Sequence, residues 1–262
     1  MISSTANARV KNIVLLQKKG KERKRQGLFV IEGRKLFDEV LRDAPESVDE
    51  VYVTEAYLED AKQKKMPEGI SYEVVTESVM KAMAETLEPQ GIIATVRIPK
   101  YDRECLRKKE TAVWVALEDV RDPGNLGTIL RTAEAAGVTG VVLSPNSVDM
   151  YNPKVVRSTM GAIFRVPHFY AEDFMAELKA FRESGATVYA AHLSGKQFYD
   201  EPEYAGCSVI LIGNEANGLS KEASDCADCL VKIPMEGKAE SLNAAVATSL
   251  FVYEAYRKRR NK

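Results

Sequence analysis

Residues 209–220, VILIGNEANGLS, and residues 230–260, LVKIPMEGKAESLNAAVATSLFVYEAYRKRR, carry the reading of this chain. Each puts a turn marked by glycine or proline at the end of an apolar, β-branched strand, the place where parallel α/β proteins bind their ligands. The first strand, Ser208 to Ile212, runs into Gly213-Asn214-Glu215, and Asn217-Gly218 adds a second tight turn. The second strand, Leu230 to Ile233, runs into Pro234 and a loop holding Gly237. Ser241 is then expected to cap a long helix that carries Asn243 near its start. Two such turns form a pocket, with Glu215, Ser241 and Asn243 as its polar groups.

Upstream, strand and helix alternate. Ala112 to Leu117 reads as a strand, Glu118 to Gly124 as a loop with the turn signal Asp122-Pro123-Gly124, and Leu126 to Ala136 as a helix that Gly137 stops. Leu126, Ile129, Leu130 and Ala133 fall at helical spacing and are core residues. Asn125 suits an N-cap and Arg131 a solvated helix charge, unless function claims them. Further strands are expected at Gly140 to Leu143, Val166 to Phe169 and Thr187 to Ala191, with helices at Lys154 to Ile163 and Glu172 to Glu183. This order implies a parallel sheet covered on both faces. No G-x-G-x-x-G follows a strand, so a dinucleotide-type site has no support.

The first hundred residues read as a separate small α/β sandwich. An amphipathic helix with Val10, Ile13, Val14 and Leu16 leads through a basic turn into a strand from Leu28 to Ile31. Helices at Arg34 to Leu41, Glu55 to Lys62 and Ser78 to Ala84 alternate with strands at Glu50 to Val53, Tyr72 to Val75 and Gly91 to Arg97. The polar stretch after Pro99 lacks a strand pattern and reads as a linker. The expected division is therefore 1–100, a linker at 101–111, and 112–262.

Composition fits a globular protein expected in the cytoplasm. With 262 residues, 45% hydrophobic and 29% charged, the chain has the make-up of a globular protein large enough for two domains. No apolar run approaches the ~20 residues of a membrane span, and MISSTANARVKN lacks the apolar core of a signal peptide. The net charge of −1 hides an asymmetry. Arg9, Lys11, Lys18, Lys19, Lys21, Arg23, Lys24 and Arg25 face only Glu22 in the first 25 residues, and Arg257, Lys258, Arg259, Arg260 and Lys262 end the chain. Such clusters suit a phosphate backbone or simply solvated termini. Cys226-Ala227-Asp228-Cys229 has no second pair to complete a zinc site, with His168 and His192 the only histidines, and its cysteines read as structural.

Three blocks in order, NLGTILRTAEAAG at 125–137, LIGNEANGLS at 211–220 and IPMEGKAESLNAAVATSLFVYEA at 233–255, make the chain resemble the SpoU-type, or SPOUT-class (TrmH-like), RNA 2′-O-ribose methyltransferases. The resemblance implies a deep trefoil knot, which periodicity alone would never suggest. It implies S-adenosylmethionine as cofactor, held largely through backbone groups by Gly213, Asn214, Ile233, Met235, Leu242 and Leu193. It implies catalytic roles for Arg131, Asn125, Glu215, Ser241 and Asn243, no metal, and a homodimer through the C-terminal domain. A guanidinium stays protonated, so Arg131 is expected to bind a phosphate and stabilise a developing alkoxide rather than act as a base. GLFVIEGRKLFDEVL resembles the opening of the N-terminal domain that ribosomal RNA methyltransferases of this group carry, which favours ribosomal RNA as substrate. On another reading, Glu32-Gly33 is merely a strand end and helix-starting turn. A transfer RNA methyltransferase, and a non-catalytic RNA-binding or ribosome-assembly protein on the same fold, are the alternatives.

Overall fold

The computed structural model describes residues 1–60, 66, 69–107 and 111–260. In chain order its elements are α1 (Ala8–Lys18), α2 (Gly20–Gln26), β1 (Leu28–Glu32), α3 (Arg34–Asp43), β2 (Val48–Val53), α4 (Glu55–Glu59), β3 (Glu73–Val74), α5 (Glu77–Met83) and β4 (Ile92–Arg97). There follow α6 (Arg103–Arg107), β5 (Ala112–Leu117), α7 (Pro123–Ala135), β6 (Gly140–Leu143), α8 (Pro153–Ser158), β7 (His168–Tyr170), α9 (Phe174–Glu183) and β8 (Thr187–Ala191). The last are β9 (Gln197–Phe198), β10 (Cys207–Ile212), α10 (Lys221–Cys226), β11 (Cys229–Lys232) and α11 (Ala244–Arg260). Lys62, the expected end of α4, the linker residues 108–110 and Lys262 lie outside the described residues.

The elements sort into two units, Met1–Lys100 with Asp149–Phe164, and Tyr101–Val148 with Arg165–Lys262. In the first, strands in the order β1-β4-β2-β3 form a mixed sheet. Val10, Ile13 and Leu16 of α1 and Val79, Met80 and Met83 of α5 close one face over Val30, Tyr52 and Ile93. The discontinuous segment explains itself through two contacts. Phe29 of β1 takes the Tyr151 ring at 4.9 Å and the Phe164 ring at 6.4 Å. The buried Arg23 donates from Nε to Asp149 Oδ2 at 2.9 Å and from Nη1 to the carbonyls of Leu16 and Gln17. Sequence pattern assigns 149–164 to the second domain; its apolar side chains are instead spent on the first unit. The helix expected from Lys154 to Ile163 also stops early, at Ser158, because Met160 and Gly161 take positive φ and turn the chain into a 3-10 segment at Ala162–Phe164.

The second unit is a seven-stranded sheet in the order β7-β6-β5-β10-β8-β11-β9, every pair parallel. β5 is buried at all six positions, as a central strand covered on both faces must be. Trp114 and Ala116 point to a core shared with Leu178 and Phe181 of α9 and Ala223 of α10. On the other side lie α7 and α11, with Ile129, Leu130, Phe251 and Val252 fully buried. Three carbonyls, of Ala112, Tyr204 and Gly206, accept from the Arg259 guanidinium and tie the end of α11 to the start of the central strands. Arg23 and Arg259, read from sequence among the basic clusters, are thus structural; Lys11, Lys18, Lys19, Lys21, Lys24 and Arg25 are exposed or half-exposed.

Candidate active site

Every strand of a parallel sheet points its carboxyl end the same way, so the loops after β5, β8, β10 and β11 meet at one edge of the sheet. The loop after β5 ends in Asp122, whose side chain accepts from Asn125 N at 2.8 Å and starts α7, with Pro123 in the first turn. Asp122, not Asn125, is therefore the cap. Asn125, released from that duty and buried at the third helical position, turns its amide inward.

There it joins Glu215. The Glu215 carboxylate accepts from Asn125 Nδ2 at 2.9 Å and from the backbone N–H groups of Arg121 and Asp122, each at 3.2 Å. Burial pushes the Glu215 pKa up, but the bonds from Asn125 and from the backbone outweigh it and hold the group below its ordinary value, as an anion at neutral pH. Asn125 Oδ1 in turn accepts from Asn243 Nδ2 at 2.8 Å. Asn243 Oδ1 accepts from Ala245 N and Val246 N, so this residue caps α11 in place of the expected Ser241. Ser241 is exposed and lies on the wall of the adjoining cleft.

The turn carrying Glu215 is tightly made. Asn214 and Gly218 exchange backbone hydrogen bonds at 3.0 and 2.9 Å, and Asn214 Oδ1 accepts from Ala216 N and Asn217 N. A Cβ on Gly213 would fall 2.3 Å from the carbonyl carbon of Gly218, so no other residue fits without moving the turn. Across the same edge, Glu118 accepts from Ser220 N and Oγ, where Ser220 caps α10.

A cleft of about 440 Å³ opens here, and Gly213, Asn214, Ile233, Met235, Leu242 and Leu193 all line it, as do Glu215 and Ser241. The volume is within the range of small-molecule sites. Leu193, Ile233, Leu242 and Phe251 supply apolar wall beside the polar side chains of Glu215 and Ser241. His192, Lys232 and Phe251, which sequence reasoning passed over, also face the cleft. Their only signal was position at or beyond the end of an apolar strand or on the inner face of the last helix. Arg131 stands apart. It is exposed on α7, and among the described residues its guanidinium makes no hydrogen bond or ion pair. Nor do the described residues gather three His, Cys, Asp or Glu side chains as a metal would need.

The sequence profile of the SpoU rRNA Methylase family matches residues 112–253, and that of the MRM3-like substrate binding domain matches residues 7–94. The chain is 36% identical to the 23S rRNA (guanosine(2553)-2′-O)-methyltransferase RlmP of Bacillus subtilis (strain 168), over 96% of its own length and 97% of that protein's. It is 29% identical to the 23S rRNA (guanosine-2′-O-)-methyltransferase RlmB of Shewanella oneidensis, over 88% of this chain and 98% of that one. Among solved structures, the AdoMet-bound rRNA methyltransferase from Sinorhizobium meliloti superposes with a TM-score of 0.84 at 32% identity, covering 98% of this chain and 97% of that one.

Proposed function

The chain belongs to the SpoU rRNA methylase family, and we propose that the array Glu215–Asn125–Asn243 beside the cleft is where it acts. It is an RNA 2′-O-ribose methyltransferase that uses S-adenosylmethionine, its substrate is ribosomal RNA, and its second unit has the knotted SPOUT-type fold. The observation that carries the site assignment is the meeting of the three sequence blocks, far apart in the chain, through the hydrogen bonds of Asn125 to Glu215 and Asn243 at one edge of one parallel sheet.

When bound, S-adenosylmethionine supplies a methyl group on a sulfonium, already a good electrophile. The residues of the chain then have two tasks, holding a ribose hydroxyl in line and easing the loss of its proton. Alignment alone is worth roughly 7 to 11 kcal/mol. Gly213, Asn214, Ile233, Met235, Leu242 and Leu193 form the cofactor wall. Glu215, anionic and fixed by three donors, orients Asn125, and Asn125 orients Asn243 at the head of α11. Ser241 contributes a hydroxyl at the cleft wall. Arg131 binds the phosphate next to the target and stabilises the developing alkoxide.

Arg131 points to solvent in the single chain, so this role calls for a second copy. Val246, Tyr253 and Tyr256 of α11 are 49%, 48% and 40% exposed, an apolar face that a homodimer through this unit would cover and that would bring Arg131 to the partner's cleft. The first unit, with its exposed lysines, grips the RNA backbone. Among the described residues no helix is long and apolar enough to cross a membrane, and we place the protein with its RNA in the cytoplasm. Incubating the full chain and methyl-labelled S-adenosylmethionine with ribosomal RNA, and separately with transfer RNA, tests the function. Label in ribosomal RNA, with a reverse-transcription stop at low nucleotide concentration, is the expected result; label in neither RNA removes the reading.

A further inference from the structure

We propose that Asp119, outside every residue assigned above, is a positioning residue for methyl transfer, acting through its main-chain carbonyl and the backbone conformation that aims it; the proposal rests on the methyltransferase reading of the site. Asp119 has φ 54°, one of three non-glycine residues at positive φ among the described residues. Aspartate tolerates the left-handed region better than most side chains, but seldom without local bonds to hold it. Here the bonds are present. Asp119 N donates to Ser144 Oγ at 2.8 Å, Ser144 Oγ donates to Asp119 Oδ1 at 2.6 Å, and Asn146 Nδ2 lies 3.4 Å from Oδ2. Ser144, at the end of β6, thus clasps both the amide and the carboxylate of one residue at the end of β5.

The clasp directs the Asp119 carbonyl at Asn214, whose Nδ2 donates to it at 2.7 Å. Asn214 Oδ1 holds the next two backbone amides but one, those of Ala216 and Asn217, with Glu215 between. Two and three residues beyond Asp119, Arg121 N and Asp122 N donate to the Glu215 carboxylate. The segments 119–122 and 214–218 are therefore fastened at both ends, and Asp119 is the end that sets their separation. If Asp119 relaxed to negative φ, its carbonyl would turn away from Asn214, and the Glu215–Asn125–Asn243 array would lose its fixed point. Leu193, Ile233 and Leu242, on other loops of the cleft, would be unaffected. Left-handed strain beside a reacting centre, held by its surroundings, is the pattern expected of pre-organisation.

The test compares Asp119→Asn, Asp119→Gly and Asp119→Ala with Ser144→Ala in the full chain, measuring kcat and KM for methyl transfer and the affinity for S-adenosylmethionine by calorimetry. Asparagine keeps the left-handed preference and an acceptor for Ser144, and is expected to retain near wild-type kcat. Glycine keeps the conformation without the clasp and falls between. Alanine loses both, and its kcat is expected to drop roughly a hundredfold, the order for a ~1 Å misplacement, with cofactor affinity, to which Gly213 and Asn214 of the same turn contribute, falling by much less. Ser144→Ala repeats the loss in milder form and serves if the alanine variant at 119 does not fold. A wild-type kcat in Asp119→Ala overturns the proposal, as does an asparagine variant no better than alanine, or a loss confined to cofactor binding. A wild-type protein that binds S-adenosylmethionine but methylates no RNA overturns the functional reading itself, and is told apart by that control.

Discussion

Asn125 donates from Nδ2 to Glu215 Oε1 over 2.9 Å, joining residues 90 positions apart in the chain, and this bond settles which way the amide faces. With its nitrogen committed to a carboxylate, its oxygen is left to accept from Asn243. Asn243 Nδ2 being so used, its own oxygen caps α11. A single anion thereby fixes the orientation of two amides and the head of a helix.

Replacing Asn125 by aspartate places a second carboxylate against Glu215, where like charges repel. Methyl transfer by Asn125→Asp is expected to fall roughly a hundredfold, the scale set by losing one oriented donor in an active site. Single-turnover kinetics with labelled cofactor measure it, and a variant as fast as wild type would take Asn125 out of the site.

Gly213→Ala drives a Cβ to 2.3 Å from the Gly218 backbone, so the turn must move. A stability loss of about 1–3 kcal/mol is expected, as for other overpacked sites. Urea unfolding reads the stability and calorimetry reads the cofactor, whose affinity should fall with it because the same turn lines the cleft.

Arg131→Ala should abolish transfer and leave cofactor binding intact, since the side chain is exposed and away from the cleft wall. Mixing it with Asn125→Asp tests whether the site is shared between copies. In a random mixture of dimers about a quarter of the sites receive both intact residues, so activity should return to roughly that fraction. No recovery after subunit exchange would confine each site to one chain.

His168 is buried with Nδ1–H donating to the Val166 carbonyl at 2.8 Å, and burial pushes its pKa down to about 4 from the usual 6.5. Its folded value lies below its unfolded one, so stability is complete above pH ~6.5 and declines as pH falls towards 4. At pH 5 the loss is on the order of 2 kcal/mol by linkage. Unfolding curves at pH 7 and 5 for wild type and His168→Gln check the sign; an undiminished pH dependence in the variant would acquit the histidine.

Arg23→Ala should cost roughly 3–5 kcal/mol, because it strands Asp149 and two carbonyls. Lys24→Ala, one position on and exposed, should change stability by no more than about 0.5 kcal/mol. Thermal unfolding distinguishes the two, and equal effects would contradict the division of this basic stretch into structural and solvated charges.

Ala112 to Leu117 is legible in sequence because six apolar residues between turn signals leave a doubly covered strand as the economical solution, and the strand ends at Ile212 and Lys232 follow within one residue. Glu215, Asn125 and Asn243 are legible as polar residues at such ends. Their partnership is not, since it depends on loops 90 and 118 residues apart meeting in space. Ser241 and Asn243 are both good caps two residues apart; the choice falls to Asn243 because only it also reaches Asn125. Asp119 gives no local sign, as its conformation is imposed by a serine from the next strand. Arg23 reads as one more charge in a basic run, and burial alone separates it from its neighbours.

Because residues 149–164 complete the first unit, the backbone passes between the units three times, at Lys100–Tyr101, Val148–Asp149 and Phe164–Arg165. A polypeptide begun after the linker would still contain Tyr151, Val155, Val156 and Ile163, all buried here, without the sheet that Phe29 contributes to cover them. Recombination at one point cannot exchange the first unit for another, since any graft must also match this returning segment, so such a chain would be remodelled by point substitution more readily than by domain exchange.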